Sequence, residues 1–438
     1  MLKTILENTN YLCKIVLLPE LREHPNADRL SLATIDNQVI ITSRDAAVGS
    51  LYVYFPLECQ INQDFIAYIN GFSDAERNRD KTKRGFFNPK RRVRGVKLRE
   101  IVSEGYLHPA SEVNSWLKSQ KIKFNITESN VGEQFDSFGE TLFVQKYTVP
   151  VKHIQDGTKK SKKARESRIV EGQFYFHPDT AHLKRELDKI SPNDEIEILS
   201  KWHGACCVCA NLLTKRPLSL VEKIARFFGA QINDEKYSVI ASSRRVIKTK
   251  DLRDNPAQSF YDSDVWTSVA NKYQESILPG ISLFGELVGH TPTGAGIQSF
   301  KGKVYDYGCE LGSCDFFVFR ITYTSPKGHV FEFSVPQIIE YCNKYALKHV
   351  PVYFVGKAKD KYPDLDIGNH WHENFLDRLI AEYLEKDDVY CNSKGLADEG
   401  IVLSKRIGAF QGFKLKSSRF VLAESIELDS EKENIEDS

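Results

Sequence analysis

The chain has 438 residues, 41% of them hydrophobic and 27% charged, with a formal net charge of +1. That length predicts two or three domains with full cores, and the near-neutral charge confines any nucleic-acid surface to a local patch. No run of about 18 apolar residues occurs, which argues against a membrane span.

The first residues, Met1-Leu2-Lys3-Thr4-Ile5-Leu6-Glu7, lack the apolar core of a signal peptide. Among the nine cysteines, Cys206, Cys207 and Cys209 share one apolar run without paired CxxC spacing. Buried reduced thiols of an intracellular protein, cytoplasmic or nuclear, are the expectation. Residues 1–147 read as mainly β. Leu12–Leu17, Val39–Ile41 and Leu51–Phe55 are rich in β-branched and aromatic residues between turn formers. A basic stretch from Arg77 to Arg99 is interleaved with Phe86 and Phe87. Cations alternating with rings suit single-stranded nucleic acid, and Arg84, Phe86, Arg91, Arg92 and Arg94 are the candidate RNA contacts. A solvated loop over core aromatics would look the same.

Residues 148–170, including Lys159-Lys160-Ser161-Lys162-Lys163, read as a basic linker, and 171–438 mixes strands with a few helices. Pro217–Phe228 and Trp371–Leu384 carry helical apolar spacing, and Glu424–Ser438 is an acidic tail expected to fray.

Ile196-Glu197-Ile198-Leu199-Ser200-Lys201-Trp202-His203-Gly204-Ala205-Cys206 reads as strand, tight turn, strand. A lysine at such a turn points from a rigid scaffold, and its amine attacks only when neutral. Gly204 would let the backbone approach a nucleotide. Alone, this pattern fits an ordinary exposed turn. Five later segments change its meaning. Ser242-Ser243-Arg244-Arg245 supplies cations, and Leu283-Phe284-Gly285-Glu286 puts one carboxylate on a strand. After the aromatic strand Asp315–Ile321, Asp398-Glu399-Gly400-Ile401-Val402 adds a second carboxylate. Lys414 and Lys416, two apart, face one side of a strand.

In this order the segments resemble the covalent nucleotidyltransferases: polynucleotide ligases and RNA capping enzymes. Phe176-His177-Pro178-Asp179-Thr180, Thr291-Pro292-Thr293-Gly294, Gln298 and Tyr305-Asp306-Tyr307-Gly308 extend the resemblance to RNA ligases of the Naegleria type. His203 stands where DNA ligases generally carry Asp, which favours RNA. In the tRNA-binding manner, His24-Pro25-Asn26-Ala27-Asp28 resembles an OB-domain turn.

The resemblance implies an α+β fold: an N-terminal OB-type β-barrel (1–147), the linker (148–170), and an ATP-grasp-like nucleotidyltransferase domain of antiparallel sheets and helices (171–438). It implies an ATP-dependent RNA ligase joining 3′-hydroxyl and 5′-phosphate ends, in nick repair, as a monomer. Lys201 would be the nucleophile, and Lys414 and Lys416 would contact the α-phosphate. Glu399 would hold Mn²⁺ or Mg²⁺, and Glu286 the ribose or a metal-bound water. Phe317 or Phe319 would stack on adenine. Arg185 and Arg244 would meet phosphates, with His203 and Gly204 beside the nucleotide. The competing readings are a DNA ligase, an mRNA guanylyltransferase, and an RNA-binding protein with a decayed ligase domain.

Overall fold

The computed structural model describes residues 1–5, 9–148, 168–249, 263–406 and 409–429. The Lys159–Lys163 run, most of the expected linker, and the last nine residues of the acidic tail lie outside them. The chain divides into two compact units: Met1–Val149 with Ala181–Lys189 and Ser418–Lys432, and Pro150–Thr180 with Ile190–Ser417 and Glu433–Ser438.

The first unit is built on β1 (Cys13–Leu17), β2 (Leu30–Ile35), β3 (Gln38–Ser43), β4 (Leu51–Pro56), β5 (Gly105–Pro109) and β6 (Gln134–Phe135), with α1 (Ala110–Ser119). The order β5-β4-β1-β6 forms one antiparallel sheet. Alternation sends Cys13, Ile15, Val53 and Phe55 into a core with Trp116, Phe135 and Phe143. Val16, Tyr52 and Tyr54 face a second cluster with Ala33, Ile35 and Ile40. β2 and β3 pair through Ile35 and Gln38 around Asp36 and Asn37, whose φ of 48° and 59° suits a two-residue primed turn. Among the described residues these sheets remain open and close no barrel.

This unit also claims the helix Ser418–Asp429, half of which falls in the stretch expected to fray. Arg92 explains why it holds. Its side chain is 0% exposed and is paired with Glu58 at 2.7 Å and with Asp429 at 2.8 Å. It also donates to the Ser425 carbonyl. Arg94 reaches Asp429 at 2.8 Å, and the Arg91 guanidinium donates to the Ile61 carbonyl at 2.9 Å. Arg92 therefore cannot present its charge to RNA, and Arg91 and Arg94 are committed within the unit. Of the predicted RNA contacts, Arg84 and Phe86 are exposed.

The second unit holds two antiparallel sheets. In chain order its strands are β7 (Glu195–Lys201), β8 (Ala205–Lys215), β9 (Glu235–Ser242), β10 (Ile281–Gly289), β11 (Cys314–Thr324), β12 (Val352–Lys357), β13 (Gly400–Lys405) and β14 (Gln411–Lys416). One sheet runs β12-β7-β13-β14 and the other β9-β8-β10-β11. The helices are few: α2 (Leu220–Phe227), α3 (Val265–Lys272), α4 (Val335–Lys344) and α5 (Trp371–Tyr383). The α+β class with antiparallel sheets is thus observed.

Helix α2 starts three residues later than Pro217 because Ser219 and Glu222 close a reciprocal capping box. Its apolar stripe faces solvent: Leu220 is 74% and Phe227 85% exposed. All nine cysteines are free thiols. No helix among the described residues is long and apolar enough to cross a membrane.

Candidate active site

Lys201 is the last residue of β7, and Ala205 the first of β8. The three residues between them carry the chain from one sheet to the other, which aims Lys201 into the cleft where the sheets face. Register then assembles the charges. Lys201 lies opposite Gly400, and Gly400 opposite Lys416. Leu199, Val402 and Lys414 form the next row.

Glu399 sits just before β13 with a side chain 1% exposed. Its Oε1 is 2.7 Å from Lys201 Nζ and 3.2 Å from Lys416 Nζ. Its Oε2 is 4.0 Å from His203 Nδ1. A buried carboxylate is tolerable only when cations compensate it, and here two ammonium groups share one oxygen. Gly400 permits this crowding: its φ is +129°, and a β-carbon there would fall 2.1 Å from the Leu415 carbonyl. Gly204 is required for a comparable reason. A β-carbon on it would meet the Leu287 carbonyl at 2.6 Å and Glu286 Oε2 at 3.2 Å. The close approach that Gly204 allows here is to strand β10.

The cleft, counted with the open solvent at its mouth, spans about 760 Å³. Lys201, Glu286, Arg244 and His177 supply its polar lining, and Leu199, Val350, Val402, Phe319 and Phe410 its apolar lining. Phe319 and Phe317 part company here. A register shift in the β10–β11 pairing leaves Phe319 without a partner, between Arg320 opposite Phe284 and Val318 opposite Gly285. Phe319 lines the cleft. Phe317 packs on Trp202, centroids 4.5 Å apart, and is absent from the lining.

Arg244 lines the cleft and is bound through its Nε and Nη2 to Asp179, which also takes Arg245 at 3.0 Å. Arg185 belongs to the first unit, where it donates to the Asn10 carbonyl. Lys414 faces the same side of β14 as Lys416.

Sequence reasoning passed over Arg406, which lines the cleft, binds Glu197 and lies 5.3 Å from the Phe410 ring. A basic residue just past β13 was its only signal. His177 had been noted without a role. It is wedged among Phe284, Phe319 and Phe410. Burial, then Arg320, Arg244, Arg406 and Lys201, push its pKa well below the usual imidazole value, so it is neutral at pH 7.

Among the described residues no three His, Cys, Asp or Glu side chains converge as a preformed metal cage. Glu286 in the cleft lining and Glu399 beside Lys201 supply carboxylate oxygens, the donor type that magnesium-like ions take together with waters and substrate phosphates.

Residues 194–416, just over half of the chain and all of this cleft's strands, match the family model described as RNA ligase. The chain belongs to the RNA ligase family. Solved structures agree on the fold. A Naegleria gruberi RNA ligase mutant with ATP and Mn matches at a TM-score of 0.56 and 15% identity, over 94% of this chain and 98% of that one. A mutant of the same enzyme with AMP and Mn, and the enzyme with pyrophosphate, match at 0.54, 15% identity and the same coverage. At that identity the likeness establishes fold alone. No curated protein sequence matches the ligase.

Proposed function

We propose that this RNA ligase is ATP-dependent and that Lys201 carries the AMP. The observation behind this reading is the shared carboxylate: Lys201, which lines the cleft, and Lys416 converge on buried Glu399. The Naegleria relatives of the same fold hold ATP or AMP with Mn. Lys201 gives up its proton, and its neutral amine attacks the α-phosphorus of ATP. The P–N bond forms as the P–O bond to pyrophosphate breaks, and the second amine proton is released. Lys414 and Lys416 neutralise the charge that builds on the α-phosphate oxygens. Phe319 and Val402, from facing sheets, flank the adenine, and Glu286 takes the ribose hydroxyls.

Glu399, with Glu286, suits a Mn²⁺ or Mg²⁺ ion, which would supply electrostatic stabilisation at the phosphates. The AMP then passes to an RNA 5′-phosphate. A 3′-hydroxyl displaces it to seal a nick.

The N-terminal unit serves as an OB-type RNA-binding module in this reading, partly open. Phe86, 55% exposed and packed against Phe87 with ring centroids 4.2 Å apart, is its base platform, and Arg84 its phosphate contact. Phe86 borders a groove lined also by Tyr106, Arg29 and Arg94.

The test is incubation with α-labelled ATP and, separately, GTP. Label from ATP in the parent, and none in Lys201→Ala, is expected. Label retained by Lys201→Ala would reject the nucleophile, and label from GTP would favour a guanylyltransferase. A panel of nicked RNA and DNA duplexes then separates RNA from DNA sealing.

A further inference from the structure

We infer that Tyr307 is a positioning residue that fixes the turn carrying Lys201, an inference that rests on the nucleophile assignment above. The turn after Lys201 is held from one side by a single short segment. The His203 backbone N–H donates to the Tyr307 hydroxyl at 2.7 Å. The Tyr307 ring lies on the Trp202 indole with centroids 4.2 Å apart and planes within 10°. Gln298 donates to the Gly204 carbonyl at 3.3 Å.

The same segment also reaches the carboxylate end of the ion pair. Tyr305 meets the His203 ring edge-on at 5.0 Å and donates to the Ala397 carbonyl at 3.1 Å, two residues before Glu399. Residues 298–307 therefore tie the backbone beyond Lys201 to the backbone before Glu399, and so set how the amine and the carboxylate meet. Tyr307 is 6% exposed and does not line the cleft, so it acts through Trp202 and His203 and touches no nucleotide. Burial drives its phenol pKa well above the usual value, so the hydroxyl stays neutral.

Lysine attack demands near in-line geometry, and misplacement by about 1 Å costs on the order of a hundredfold in rate. Sealing of an RNA that already carries a 5′-adenylate bypasses attack by Lys201. The two steps should therefore separate.

The experiment compares the parent with Tyr307→Phe, which keeps the stack and removes the hydroxyl, and Tyr307→Leu, which removes both. Each is assayed for the rate of lysyl-AMP formation, KM for ATP, and sealing of pre-adenylylated RNA. Tyr307→Phe is expected to slow lysyl-AMP formation roughly tenfold or more, with KM and pre-adenylylated sealing within about twofold. Tyr307→Leu should be slower still. Gln298→Ala, which spares the aromatic packing, should give the same split more weakly and serves if Tyr307→Leu fails to fold. Parallel loss of both steps in Tyr307→Phe and Gln298→Ala would mean a general structural role and overturn the inference, as would no change in either step. Label persisting in Lys201→Ala would instead indict the nucleophile assignment.

Discussion

Glu399 Oε1 lies 2.7 Å from Lys201 Nζ, and the carboxylate is 1% exposed. Glu399 also takes Lys416 at 3.2 Å, so one buried carboxylate oxygen serves two ammonium groups.

Neutralising Glu399 should therefore destabilise the protein more than removing Lys201. Glu399→Gln leaves two mostly buried ammonium groups facing an amide, at a cost of about 3 kcal/mol. Lys201→Ala leaves the carboxylate paired with Lys416 and should cost less than about half of that. Denaturant unfolding followed by tryptophan fluorescence measures the difference; equal losses would contradict the shared arrangement.

Chelation of divalent metal should abolish AMP transfer to the protein while leaving its melting temperature within about two degrees. The apo cleft is already compensated by lysines, so folding does not wait for an ion. Electrophoresis of labelled protein and a thermal melt, each with and without EDTA, check both halves.

The basic stretch divides into two classes. Arg92→Ala removes a guanidinium that is 0% exposed and bridges Glu58 and Asp429, costing about 3–5 kcal/mol. Arg84→Ala and Phe86→Ala should change stability by less than about 0.5 kcal/mol. Phe86→Ala should weaken single-stranded RNA binding about tenfold through lost stacking. Fluorescence anisotropy with a labelled RNA would show an unchanged affinity if this surface is idle.

Asp398 carries a pH dependence. Burial, opposed in part by the Gly400 N–H and reinforced by Asp388 and Glu399, raises its pKa to about 7. The unfolded carboxyl titrates near 3.8. The folded state thus binds the proton more tightly, and stability from this site is full below the unfolded value and lost as pH rises through about 7. Asp398→Asn keeps the acceptor for Gly400 and should be more stable than the parent at pH 8 by roughly 2–4 kcal/mol. At pH 5 less than half of that gain should remain.

Period-two spacing was enough to place Lys414 and Lys416 on one side of β14. It could not separate Phe317 from Phe319, because the irregularity opposite Phe284 and Gly285 breaks the alternation, and no residue in β11 announces it. Arg92 was illegible for another reason. Its partner Asp429 is 337 residues away, and a burial decided by so distant a carboxylate leaves no trace in local composition. That Arg185 belongs to the first unit was illegible because the short piece 181–189 stands just before β7 in the chain.

That first unit is assembled from three separate stretches of chain, and this has a consequence for modularity. The N-terminal part is not a prefix that can be snipped off. A cut near residue 148 would leave Lys184 without the carboxylate of Glu104, its partner at 2.7 Å, and would bare Phe420 and Val421 on the helix that starts two residues after Lys416. A free-standing catalytic fragment would need two excisions and a graft: loss of the leading stretch, a new terminus near Ser417, and polar replacements in 181–189. Insertion or loss of this unit is thus not a single genetic event for this ligase, because its last helix is spliced directly onto the strand that carries Lys414 and Lys416.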